Sequence, residues 1–148
     1  MVLRIITVGK ISPWARTAWE HYKKLISRFR KVELLSLSTG GDLNRENPEV
    51  IKRREARRIL DRILGTPVCL DIRGRRMTSE EFSRFLAGLR NATFIIGGPL
   101  GLDESVLKAC RERISLSSFT LSHEVAFVLL LEQILRGFKI AGGERYHH

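Results

Sequence analysis

The chain has 148 residues, of which 43% are apolar, enough for one substantial core and too many for wholesale disorder. Its longest unbroken apolar run, Val125–Leu131, is seven residues, against roughly 20 for a membrane-spanning helix, so no such helix is expected. Lys and Arg number 26 against 16 acids, a formal net charge of +10, and that arginine-rich balance points to a polyanionic partner such as RNA.

The opening segment turns polar at Arg4, too early for a secretory signal, so a cytoplasmic protein is expected. Val2–Val8 reads as a buried strand: short, β-branched and ended by Gly9. Ser12-Pro13 then supplies an N-cap and a proline at the first helical position, opening a helix to about Phe29. Val32–Leu37 is a second strand. The stretch Ser38–Asn47, with Gly40 and Gly41 among polar neighbours, is expected to be a long mobile loop. Asn47-Pro48 repeats the cap-plus-proline signal for a helix through Leu64, stopped by Gly65.

Thr66–Asp71 reads as a third strand. Thr78 and Glu81 have the spacing of a capping box ahead of Phe82, Phe85, Leu86 and Leu89. Thr93–Ile96 is a fourth, wholly apolar strand that runs straight into Gly97-Gly98. A short helix from Asp103 to about Glu112, a strand around Ile114–Leu116 and a long helix from Ser122 to about Ile140 complete the series. Strands alternating with helices imply an α/β fold with a parallel sheet covered on both faces, in which ligands bind beyond the carboxyl ends of the strands.

Two segments carry most of the chemistry. Phe94–Gly101 puts three glycines directly after a buried strand, where backbone is open to close approach by a ligand. It is neither a dinucleotide fingerprint nor a phosphate loop, because the spacing fails and no Gly-Lys-Ser/Thr follows. Ser115–His123 alternates small hydroxyl residues with apolar ones. That mixture suits an adenosine, which needs an apolar slot and a few donors and acceptors, although a capped loop ahead of a helix has the same spacing.

The last helix is apolar around more of its circumference than one core face requires, which hints at a subunit interface. Glu132 and Arg136 on its polar stripe have the spacing of an i,i+4 ion pair, with a carboxylate serving the site as the alternative reading of Glu132. Lys52–Arg58 forms a basic helical face, either a phosphate track or a solvated surface. Cys69 and Cys110 are expected as reduced core thiols, no zinc-type spacing occurs, and no metal is expected. His123, at a helix N-terminus, reads as a packing or hydrogen-bonding histidine, and His21 is given no role.

In order and spacing, Ile96–Leu102, Ser115–His123, Glu132-Gln133 and Tyr146-His147 together resemble the RlmH (YbeA-like) family of SPOUT methyltransferases, and the resemblance covers essentially the whole chain. It implies one α/β SPOUT domain over residues 1–148, with a deep trefoil knot in its C-terminal part, roughly 66–148. It further implies a homodimer and S-adenosylmethionine (SAM) as cofactor, held by Leu70, Gly97, Gly98 and the loop of Leu116, Ser117, Ser118, Phe119, Thr120 and Leu121. The activity it implies is methylation of N3 of a pseudouridine in large-subunit ribosomal RNA. Tyr146 and His147 are the candidates for completing the chemistry, with Glu132 behind them. Ser122 stands where the family often has proline, and His148 where it usually has a basic residue. The alternatives are a SPOUT enzyme acting on transfer RNA or a ribose hydroxyl, and a non-catalytic ribosome-associated RNA-binding protein.

Overall fold

The computed structural model describes residues 1–144. Five strands, β1 (Val2–Val8), β2 (Lys31–Leu37), β3 (Thr66–Arg76), β4 (Ala92–Ile96) and β5 (Glu112–Ser115), alternate with five helices: α1 (Pro13–Ile26), α2 (Pro48–Leu60), α3 (Ser79–Ala87), α4 (Glu104–Ala109) and α5 (His123–Ala141). The sheet order is β2-β1-β4-β3-β5, and every pairing is parallel.

Alternation along the strands divides the core between two helical layers. Leu3, Ile5, Phe94 and Ile96 pack with Trp19 of α1, Phe82 and Leu86 of α3, and Phe127, Leu130 and Ile134 of α5. Ile6, Val8 and Ile95 face the opposite way, onto Ala56 and Ile59 of α2 and Val106 and Leu107 of α4. Both faces are therefore covered, and β4, buried at all five positions, is the continuous apolar run that such a central strand requires. The crossing of α3 and α5 is close because Gly137 has no side chain. A Cβ there would lie 2.8 Å from Leu86 Cδ1, and the Ser83 hydroxyl donates to the Gly137 carbonyl at 2.6 Å.

Local signals set the helix starts. Asn47 accepts from the Glu49 N–H, Thr78 and Glu81 form the reciprocal capping box, and Ser122 caps α5 by accepting from the Val125 N–H. The ends differ more. α1 stops at Ile26, where the Ser27 hydroxyl turns back onto the Lys23 carbonyl, and α2 stops at Leu60, because the Leu64 N–H is taken by the Thr93 hydroxyl of β4. α4 ends before Cys110, whose backbone is already extended.

Three expectations are corrected. β3 runs to Arg76 rather than Asp71. Its pairing with β5 jumps from Leu70 to Arg75, so residues 71–74 loop out and the strand then rejoins β5. Gly74 permits this, since a Cβ there would meet the Arg113 backbone at 2.6 Å. The Ser38–Asn47 loop is pinned rather than free: buried Glu55 accepts from the Gly40 N–H, Arg58 donates to the Ser38 and Thr39 carbonyls, and Arg54 pairs with Glu46. Two arginines of the basic helix thus hold protein rather than standing open as a phosphate track.

Finally, Cys69 and Cys110 are joined by a disulfide. Composition suggested reduced thiols, but β3 and the end of α4 set their Cα atoms 6.0 Å apart, within bonding range. The bond closes a sequence separation of 41 residues. Full reduction is therefore expected to cost about 2–4 kcal/mol, on the order of 10 °C in Tm for a chain of this size. Thermal unfolding of oxidised and reduced protein measures this, and coincident curves would contradict it.

Candidate functional site

The carboxyl ends of β3, β4 and β5 open into one cleft of about 690 Å³, a volume suited to a nucleoside-sized ligand. Its walls come from the β3 excursion (Leu70, Asp71, Ile72, Arg73), the glycine turn after β4 (residues 97–102), and the loop joining β5 to α5. Lys52 of α2 also reaches it. This is the edge of the sheet at which a parallel α/β fold gathers its loops.

The glycine turn is built by close approach more than by unusual dihedrals. Gly98 and Gly101 bridge each other, and the Gly101 N–H donates to the Gly98 carbonyl at 2.9 Å. Of the three glycines only Gly101 has a positive φ, +77°. Gly97 is required for space: a Cβ there would lie 2.9 Å from the Gly101 carbonyl carbon and 3.1 Å from the Leu102 side chain. Three of the turn's residues thus bring backbone without side chains to the cleft, beside Pro99, Leu100 and Leu102.

The β5–α5 loop is ordered by its own hydroxyls. Ser115 donates to the Ser117 carbonyl and the Ser117 hydroxyl accepts from the Phe119 N–H, both at 2.9 Å. Leu116, Ser117, Phe119, Thr120 and Leu121 line the cleft, together with Leu70, Gly97 and Gly98. Ser118, expected among them, belongs to the same loop but does not line the cleft. His123 sits at the start of α5 and lines the cleft too. Its Nε2 is buried and has no hydrogen-bond partner among the described residues, and it packs where a Cβ on Gly9 would be 3.8 Å away.

Glu132 lies away from the cleft. Its carboxylate accepts from Arg136 at 2.7 Å and from Gln133 Nε2 at 2.7 Å, so the i,i+4 pair is formed. Tyr146, His147 and His148 fall outside the described residues. Sequence reasoning missed Lys52, Ile72, Arg73, Leu102 and Leu107 as cleft residues. Gly74, just after an apolar strand and a charged pair, was the available signal for the excursion that brings in Ile72 and Arg73.

The entry to α5 is tied to the start of α1. Glu124 accepts from the Ser12 hydroxyl at 2.7 Å and the Ser12 N–H at 2.9 Å. The Ser12 hydroxyl is the main reason its carboxyl is held below the usual range; partial burial opposes this and the Ser12 backbone adds to it. Because the folded state lowers this pKa, the contact contributes stability above the ordinary glutamate value of about 4.3, and the contribution fades as pH falls through the lower folded value. Glu124→Gln is expected to cost about 1 kcal/mol at pH 7 after allowance for solvent. Tm measured against pH should show that gap closing in acid; a gap that widens there would contradict the contact's role.

Among the described residues no group of three or more His, Cys, Asp or Glu side chains could hold a metal ion, and no helix is long and apolar enough to cross a membrane.

Residues 1–147 match the family described as predicted SPOUT methyltransferases. The ribosomal RNA large subunit methyltransferase H of Thermosipho melanesiensis is 40% identical over 152 residues, with all of both chains covered. The protein of the same name from Clostridium beijerinckii is 40% identical over 158 residues, with 99% of each chain covered. Among solved structures, a transfer RNA (m1G37) methyltransferase from Aquifex aeolicus superposes with a TM-score of 0.60 at 16% identity, covering 92% of this chain and 70% of that one; at that identity the likeness shows the fold alone. With its cleft at the carboxyl edge of a parallel sheet and full-length relatives of one name, the chain belongs to the RlmH family of SPOUT methyltransferases.

Proposed function

We propose that this chain transfers a methyl group from SAM to N3 of a pseudouridine in large-subunit ribosomal RNA. The observation that carries the reading is the cleft itself, in which the glycine turn and the hydroxyl-rich loop meet in a methyltransferase of a family whose relatives are named for ribosomal RNA. The cleft fits the cofactor in its donor set. Leu70, Leu116 and Leu121 supply apolar surface for an adenine ring, Ser117 and Thr120 supply hydroxyls, and Gly97, Gly98 and Gly101 supply backbone free of side chains. The buried His123 Nε2, without a hydrogen-bond partner among the described residues, adds a polar atom open to a ligand or a water.

Bound there, SAM supplies a methyl group on a positively charged sulfur, open to in-line displacement. The chain's own task is then positioning, since holding donor and acceptor about 3 Å apart provides much of the acceleration. The cleft walls supply packing surface and backbone contacts for one partner. The acceptor N3–H must also lose its proton, and Tyr146 and His147 are assigned to orient and deprotonate the base, reaching the site from the partner subunit of a homodimer. Glu132, engaged by Arg136 and Gln133, is the weaker candidate for this step.

The dimer reading draws on α5. Val125 at its start and Trp14 at the start of α1 are both exposed, and the Ser12–Glu124 contact brings these two helix starts together. A C-terminal trefoil knot over roughly residues 66–148, a single SPOUT domain and a cytoplasmic location belong to the same reading. Calorimetric titration with SAM tests it: one site per protomer is expected, and absence of binding would overturn it.

A further inference from the structure

We propose that the Cys69–Cys110 disulfide is a reversible redox site that braces the cofactor cleft, so that opening it weakens SAM binding. The inference rests on the reading of that cleft as the SAM site and adds a means of regulating it.

The bond joins two segments that both enter the cleft. Cys69 directly precedes Leu70, a cleft residue and the last of β3 to pair with β5 before the 71–74 excursion. Cys110 ends α4, which opens at Asp103, directly after Leu102 of the glycine turn. This six-residue helix is therefore a strut, with the glycine turn at one end and the disulfide at the other. Leu107, in the middle of the strut, lines the cleft as well. The sulfurs sit in the core layer between the sheet and the helices: Cys69 Sγ lies 3.8 Å from the Val106 carbonyl oxygen, and both cysteines pack with Val106, Leu107 and Ile95. Otherwise α4 is held by packing against α2 and by Arg113, whose guanidinium donates to the Leu107 carbonyl at 2.7 and 3.2 Å. The disulfide is the one covalent link across the two segments.

Cys69 is fully buried, whereas Cys110 keeps 3% exposure at the end of a short helix, so fraying of α4 is the route by which a small thiol reaches the bond. In the reducing compartment that the proposed function implies, disulfides are mostly transient or redox-sensing. A low-molecular-weight dithiol supplies the electrons. Its thiolate attacks the Cys110 sulfur and Cys69 leaves as a thiolate; the second thiol of the reductant then displaces Cys110. Two electrons and two protons pass to the chain, and the reductant departs as its own cyclic disulfide. With the bond open, α4 keeps its packing but no longer fixes the glycine turn against Leu70. The coupling is reciprocal: if oxidation tightens SAM binding about tenfold, SAM must favour the oxidised form by the same factor, or about 30 mV for a two-electron couple.

The test titrates SAM calorimetrically into oxidised wild type, wild type reduced with dithiothreitol, and Cys69→Ala/Cys110→Ala, with circular dichroism checking that each is folded. The midpoint potential of the disulfide is measured beside it, with and without SAM, in dithiothreitol redox buffers. Both bond-free forms are expected to bind SAM about tenfold more weakly than the oxidised chain, and SAM to make the midpoint about 30 mV more negative. Affinities within about twofold of one another, or a midpoint indifferent to SAM, would make the bond a staple for stability alone. A bond-free chain that does not fold would make it a requirement for folding, and a loss in only one bond-free form would trace to the reductant or the substitution; each overturns the inference. Those outcomes leave the proposed function standing, whereas an oxidised wild type that binds no SAM takes it down as well.

Discussion

Removal of residues 146–148 is expected to abolish methyl transfer, by at least about a hundredfold, while leaving SAM affinity within about threefold. The described residues that line the cleft fall between Lys52 and Ala126, and these are the ones assigned to the cofactor. The proton on N3 is a separate problem. Among the described cleft residues, Asp71 is in contact with Arg73, and the His123 Nε2 is buried at the start of α5. The proposed function gives deprotonation to Tyr146 and His147, and losing them is expected to remove a step that positioning cannot replace. Calorimetry and RNA methylation on the truncated chain measure both halves, and full retained activity would show that the base lies elsewhere.

Gly97→Ala is expected to weaken SAM binding by at least about tenfold, or 1.4 kcal/mol. The added Cβ would lie 2.9 Å from backbone, not from the end of a flexible side chain, so the turn itself must move. Any shift moves the Gly98–Gly101 bridge that forms one wall of the cleft. Gly101→Ala provides the comparison. Nothing lies within 4 Å of its Cβ position, and the penalty comes only from φ of +77°, about 1 kcal/mol of backbone strain. Titration of the two variants should rank them in that order. Equal affinities would mean that the turn is not part of the cofactor wall.

Much of the fold was legible because its signals are local. Pro13 and Pro48 after their caps, the Thr78–Glu81 box and the apolar Thr93–Ile96 run each declare themselves within a few residues, and the structure has an element at each. The glycine turn and the Leu116–Leu121 loop were legible for the same reason, as breaks in periodicity directly after strands. What escaped was non-local. The strand order places β3 between β4 and β5, and no periodicity encodes which strands become neighbours. The β3 excursion depends on where β5 allows pairing to resume, the Cys69–Cys110 bond on the distance between a strand and a helix end, and the Glu124–Ser12 contact on residues 112 positions apart. Each is set by packing two distant segments against one sheet. Ser118 is a finer case: loop membership was readable, but which residues of the loop face the cleft follows from the Ser115 and Ser117 hydrogen bonds.

The central claim is methyl transfer to a pseudouridine N3 in large-subunit RNA, and mass spectrometry of that RNA after incubation with the protein and methyl-labelled SAM tests it most directly. The account predicts one labelled methyl group on the base of a pseudouridine, absent without protein and lost in the 146–148 truncation. A label on a ribose, a label on transfer RNA alone, or no transfer despite SAM binding would contradict it.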